Sequence, residues 1–184
     1  MESIMISIQP QWVKLILEGS KLFELRKNKP KLSTPFKCYI YCTKNKYSIQ
    51  LDSGYNCNGN VVAEFTCDYI MQYNYDIYEK EYFVAGYVGA YMPLKEMCLT
   101  QEDLIEYGQG RKLFGWHISN LIIYDKPKDL HSFEYPCMKK DVCEDCKYSI
   151  NKGLPWIGGK LSIGCDRHLE KAPQSYCIVQ EYKQ

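Results

Sequence analysis

No part of this chain limits its fold more than residues 3–26. Ile4, Ile6 and Ile8 recur at the two-residue spacing of a strand. Pro10 then suits the first turn of a helix, where its missing N–H costs nothing, and Trp12, Leu15 and Ile16 fall at helical spacing before Gly19 stops the run. The residues after the glycine read as a second strand. Side chains of an extended segment repeat every two residues, so Glu24 and Arg26 share a face, while Lys21 sits at the entrance, nearer the helix end. The expectation is a strand, a short helix, a glycine stop and a second strand that holds a compact mixed-charge site on rigid backbone.

The pattern Gly19-x-Lys21-x-x-Glu24-x-Arg26, following a short helix and an Ile-x-Ile strand, resembles the signature of the ASCH family. The resemblance extends in outline to Tyr39-Ile40-Tyr41, to Val61-Val62-Ala63-Glu64-Phe65 and to Phe114-Gly115-Trp116-His117-Ile118, covering most of residues 3–127 and resuming near Pro173. It implies a mixed α+β fold, a small PUA-like β-barrel with a few short helices, and RNA or a modified nucleoside or nucleotide as the ligand class. In a closed barrel the last strand returns near the first, which would bring Gln174, Ser175 and Tyr176 to the rim. ASCH proteins that resemble the bacterial acetylcytidine amidohydrolases use a lysine after the glycine turn, a nearby threonine as nucleophile and a glutamate from a later segment. Lys21 matches the lysine, but Glu24 stands where that pattern has threonine, and the later glutamate is open among Glu64, Glu79 and Glu102.

At 184 residues the chain reads as one domain, residues 1–184, with a cysteine-rich insertion at 137–168. A hydrophobic content of 46% and a charged content of 24% are ordinary for a soluble protein, with no apolar run of membrane-spanning length and no secretory signal. Cytoplasm is the expected compartment, without a membrane partner. The formal net charge of +1 argues against holding long nucleic acid by bulk attraction to phosphates. Charge is nevertheless uneven. Lys14, Lys21, Arg26, Lys27, Lys29 and Lys31 face only Glu18 and Glu24, whereas Asp76, Glu79, Glu81, Glu96, Glu102, Asp103 and Glu106 face only Lys80 and Lys95.

Further along, residues 36–43 and 60–70 read as strands, the latter with Val61, Ala63 and Phe65 on one face and Val62, Glu64 and Thr66 on the other. Residues 71–91 are rich in tyrosine, with acids between Tyr73, Tyr75, Tyr78, Tyr82, Tyr87 and Tyr91, and suggest a surface flap tied down by half-buried rings. Thr100, with Asp103 three residues on, signals a helix start, and Gly108 and Gly110 its stop. Residues 111–124 then read as one strand, with Phe114, Trp116 and Ile118 on one side.

Ten cysteines without an export signal do not suggest a disulfide framework. Cys38, Cys42, Cys67 and Cys177 lie in strand-like segments as small buried hydrophobes. Cys143-x-x-Cys146 and Cys165-x-x-His168 differ: two pairs separated by eighteen residues containing Gly153, Pro155, Gly158 and Gly159 have the spacing to close a tetrahedral Zn²⁺ site. With all four positions filled, the zinc would be structural, a knuckle within the insertion; Cys137 is an alternative to His168 as the fourth ligand.

The residues support three functions. The first is a reader of RNA or a modified nucleotide in a cleft around Lys21, Glu24 and Arg26, with Trp116 as an aromatic plate or His117 as a hydrogen-bonding ring. The second is an enzyme in the same cleft, a nucleoside amidohydrolase or a ribonuclease, with Lys21 and Glu24 in acid and base roles. The third is a protein-interaction adaptor that works through the tyrosine-rich segment and the zinc knuckle.

Overall fold

Among the described residues, the first and last strands lie side by side in the larger sheet. The computed structural model describes residues 3–46, 49–86, 92–136 and 167–181. In chain order these residues form β1 (Ser3–Ile8), α1 (Pro10–Leu17), β2 (Phe23–Arg26), β3 (Phe36–Cys42), β4 (Val61–Cys67), β5 (Ile70–Asp76) and β6 (Glu81–Val84). There follow α2 (Leu94–Met97), α3 (Gln101–Gly108), β7 (Leu113–His117), β8 (Ser119–Lys128), a 3₁₀ turn at Leu130–Ser132, β9 (Phe133–Glu134) and β10 (Tyr176–Glu181). The result is a mixed, sheet-rich fold with few and short helices. No helix among the described residues is long and apolar enough to cross a membrane.

Six strands form one sheet in the order β8-β4-β3-β1-β10-β9, and four form a second in the order β2-β7-β5-β6. β1 pairs in parallel with β3 and antiparallel with β10, so the expected return of the last strand to the first is what the register shows, from Ser3 opposite Val179 to Ile6 opposite Tyr176. An interior strand is covered on both faces, and every residue of β1 is accordingly buried or nearly so. Ile4, Ile6 and Ile8 join Val13 and Ile16 of α1, Cys38, Ile40, Cys42, Phe65 and Trp116 in one core. Met5 faces the other way, into a second core with Tyr39, Tyr41, Val61, Leu130, Phe133, Leu169 and Val179. A third core lies between the smaller sheet and the two helices α2 and α3, built on Phe23, Leu25, Tyr73, Tyr82, Met97, Leu104 and Leu113. Each large side chain so enclosed contributes about 1.5–3 kcal/mol.

Three local readings need correction. The regular alternation expected along 60–70 is broken by a bulge between Val61 and Ala63, which puts Val62, Ala63 and Phe65 together in the first core and Val61 in the second. The tyrosine-rich stretch is no flap: β5 and β6 are a hairpin of the second sheet, and Tyr73 and Tyr82 are core residues. Tyr87 and Tyr91 lie outside the described residues. The single strand expected over 111–124 is two, one in each sheet, with Asn120 at φ +48 just beyond the change. Thr100 caps α3 as expected: its hydroxyl accepts from the Asp103 N–H while the Asp103 carboxylate accepts from the Thr100 N–H.

Candidate functional site

Gly19, at φ +73, reverses the chain at the end of α1, and the N–H groups of Ser20 and Lys21 both turn back to the Leu15 carbonyl. This delivers Lys21 to the start of β2 in a fixed orientation. Phe23 and Leu25 enter the third core, so Glu24 and Arg26 take the opposite face, as the two-residue repeat requires. All three charged residues are buried, with 2% of Lys21, 7% of Glu24 and 8% of Arg26 exposed.

Buried charges need partners, and each partner here is identifiable. The Lys21 ammonium donates to the Met97 carbonyl at 2.6 Å and lies 5.1 Å from the centre of the Trp12 ring. Burial lowers the Lys21 pKa from its ordinary 10.5; Glu24 and Cys98 oppose that shift, and Arg26 adds to it. Arg26 reaches from the smaller sheet to the larger, donating from Nη2 to the Ser7 carbonyl at 2.7 Å and from Nη1 to the Ser175 carbonyl at 3.4 Å. Its Nε lies 3.1 Å from Glu24 Oε1, an ionic contact without the alignment of a hydrogen bond. Arg26 is thus a strut between the sheets as much as a site residue. Ser7 Oγ adds a second tie at the same seam, donating to the Pro173 carbonyl at 2.6 Å.

These groups line a cleft of about 840 Å³. Trp12 on α1, Asp103, Glu106 and Tyr107 on α3, Thr43 and Lys44 after β3, and Pro173 and Gln174 before β10 complete much of its wall. Lys27 lines it too, its ammonium 4.7 Å from the centre of the Tyr107 ring. Burial raises the Tyr107 pKa above 10.0. The cleft therefore offers aromatic rings, three carboxylates, a neutral phenol and several cations in one space large enough for a nucleotide-sized ligand.

The structure brings together Lys21, Glu24, Arg26 and Gln174 among the residues singled out from sequence, and keeps others away. Trp116 is fully buried, edge-on to Phe36 with ring centres 5.7 Å apart, and its indole N–H has no hydrogen-bond partner among the described residues. His117 points to the other side of β7, with Nδ1 2.7 Å from Asp68 Oδ1 and its ring stacked 4.5 Å from that of Tyr69. Neither lines the cleft. Tyr176 packs against Trp116, and its hydroxyl donates to the Lys29 carbonyl at 3.1 Å. Of the candidate later glutamates, Glu64 is held by Lys37 and Tyr124, Glu79 lies in the β5–β6 turn and Glu102 stands in the first turn of α3. The acids that reach the cleft from later in the chain are Asp103 and Glu106, neither of them among the three, and the sequence carried no signal for Tyr107 as a lining residue.

Of the proposed zinc ligands, Cys143, Cys146 and Cys165, like the alternative Cys137, lie outside the described residues. His168 bridges to Glu134 of β9, and its Nδ1 lies 2.6 Å from the His131 carbonyl. A carbonyl accepts only, so Nδ1 carries the proton of this contact. Among the described residues no three or more histidine, cysteine, aspartate or glutamate side chains converge to hold a metal ion.

No family model matches the chain, and no curated protein matches it. Among solved structures it is similar to a crystal structure of ASCH from Zymomonas mobilis, with 19% identity, a TM-score of 0.49 and coverage of 70% of this chain and 73% of that one. A mutant of the same Zymomonas mobilis protein matches with 18% identity, a TM-score of 0.47 and coverage of 70% and 76%.

Proposed function

We propose that this chain is a cytoplasmic, PUA-like ASCH module that binds RNA or a modified nucleoside or nucleotide in the cleft around Lys21, Glu24 and Arg26. The observation that carries the reading is that these three residues share one wall of a cleft that also presents Trp12 and Tyr107. Rings such as these stack on bases, and a carboxylate beside them accepts from base N–H groups. A mass-spectrometric screen of the purified protein against short RNAs and a panel of acylated and otherwise modified nucleosides tests it. The parent protein retains a ligand that Lys21→Met and Glu24→Gln release. Retention unchanged in both variants overturns the reading.

A second reading, an amidohydrolase or ribonuclease in the same cleft, is favoured by one observation: a buried amine of lowered pKa beside a carboxylate is suited to proton transfer. The same screen separates the two, since an enzyme yields an altered product that Lys21→Met does not make. For the insertion, a structural zinc held by Cys143, Cys146, Cys165 and His168 is supported by the pair spacing and by the His168 ring, whose Nδ1–H donates to a backbone carbonyl as in many metal-bound histidines. Metal analysis is expected to return about one equivalent of zinc per chain, as a closed four-ligand site requires; none in folded protein rules the site out. A protein-adaptor role is better placed at the β5–β6 turn, where Ile77 and Tyr78 are strongly exposed.

A further inference from the structure

We infer that the ligand of the cleft is a single strand of RNA rather than a free nucleoside, and that its phosphate backbone leaves along the loop after β2, over Lys27, Lys29 and Lys31; the inference rests on the reading of the cleft as a site for RNA or nucleotides. Size gives the first reason. A cleft of about 840 Å³ lies near the upper end of the roughly 300–1,000 Å³ typical of small-ligand sites, and a lone nucleoside leaves much of it unfilled. Charge gives the second. Lys27 lines the cleft, and the chain runs on from it to Lys29 and Lys31, both exposed, with no acid anywhere in residues 27–35.

The loop is anchored. Pro30 is buried between the two exposed lysines, and the Tyr176 hydroxyl donates to the Lys29 carbonyl, which ties the loop to the start of β10. Gln174, two residues before Tyr176, lines the cleft. The lysine track therefore begins in the cleft and continues beside its rim. Among the described residues none of the three ammonium groups is paired with a carboxylate, and Lys27 rests on the Tyr107 ring. All three remain available to phosphates. The other flank has the opposite sign: α3 opens with Glu102 and Asp103 and continues to Glu106, and Asp103 and Glu106 line the cleft. A polyanion is repelled there and drawn toward the loop, so the charge sets the direction in which the strand leaves. With a net charge of +1 the chain has no general hold on nucleic acid, and the attraction is confined to about three phosphates, one for each lysine.

The test follows binding of a fluorescein-labelled, randomised RNA octamer to the parent protein by anisotropy over a range of salt, in competition with the common and modified ribonucleosides of the screen above and with polyglutamate of equal length. The octamer is expected to bind at least about tenfold more tightly than any ribonucleoside at about 0.05 M salt, with a log–log salt slope near about −2, the value for three phosphates on a single strand. Lys29→Gln combined with Lys31→Gln should weaken the octamer about three- to tenfold and flatten that slope by about 1.4. The charge-matched pair Lys80→Gln and Lys126→Gln, on exposed residues of the β5–β6 turn and of β8, should leave both quantities as they are. Unchanged affinity and slope in the Lys29 and Lys31 variant, or an equal loss in both pairs, overturns the track. Ribonucleosides that bind as tightly as the octamer overturn the choice of a strand while leaving the cleft a nucleoside site. Polyglutamate that displaces the octamer at equal concentration makes the loop a surface for acidic protein and overturns the inference as well. Binding of neither octamer nor ribonucleoside removes the inference together with the reading beneath it.

Discussion

Glu24 and Glu64 are both strand carboxylates paired with a cation, and the contrast between them separates a site from a strut. Glu64, on β4, accepts from Lys37 at Oε1 and from Tyr124 at Oε2, each at 2.6 Å, so both oxygens are used. Its cation is 42% exposed, and the cluster continues through Lys128 to Glu181. Glu24, on β2, meets one arginine that is itself tied to two backbone carbonyls, and it keeps an oxygen for the cleft. A network that closes on itself stabilises one arrangement of strands and offers nothing to a ligand. A buried pair left half satisfied does offer something, and it depends more heavily on its partner because water does not replace what is lost.

Mutations that remove one partner from each cluster test this contrast. Arg26→Met should have the largest effect, a loss of about 3–5 kcal/mol in urea unfolding, because it leaves Glu24 and two carbonyls without their buried partner; a loss under about 1 kcal/mol would erase the distinction drawn here. Tyr124→Phe removes one hydrogen bond to a charged acceptor and should cost about 1.5 kcal/mol. Lys37→Met should cost less than about 1 kcal/mol, since a half-exposed ion pair is screened and Tyr124 still serves the carboxylate. The smallest effect is one of pH. Burial pushes the Glu64 pKa up, but the hydrogen bonds from Lys37 and Tyr124 and the charges of Lys37 and Lys128 outweigh it and hold the pKa below 4.5. The stability this gives is full above pH 4.5 and is lost as pH falls through the depressed value, so the melting-temperature gap between the parent and Glu64→Gln should be flat above that pH and narrow below it. A gap that widened on acidification would mean that the carboxylate is destabilised in the folded protein.

Much of the frame was legible because it is local. The run of β1, α1, Gly19 and β2 follows from isoleucine spacing, a first-turn proline and a glycine stop, and the shared face of Glu24 and Arg26 follows from the strand repeat alone. Thr100 and Asp103 marked α3 for the same reason. What the sequence hid depends on which surfaces meet. Trp12 stood out only for its helical spacing, and Tyr107 only as the end of an acidic helix, yet both line the cleft together with Glu24 and Arg26 of β2. Trp116 and His117 had the chemistry of site residues, but the core took the first and Asp68 the second. The bulge at Val61 and the change of sheet near Ile118 arise from pairing between strands far apart in sequence, which no short window contains.

The place of β10 has a consequence for how the chain is made. It fills the slot between β1 and β9, so residues 176–181 complete a sheet begun at residue 3. While a ribosome is still adding the last segment, β1 can pair with β3 on one side only, and its other edge, carrying Ile4, Met5 and Ile6, stays open to any extended chain nearby. Closure waits on contacts of the longest sequence separation among the strand pairs of the described residues, the slowest kind to form. A nascent chain halted before residue 176 should therefore be sticky and protease-sensitive, and should lose both properties in one step once β10 emerges.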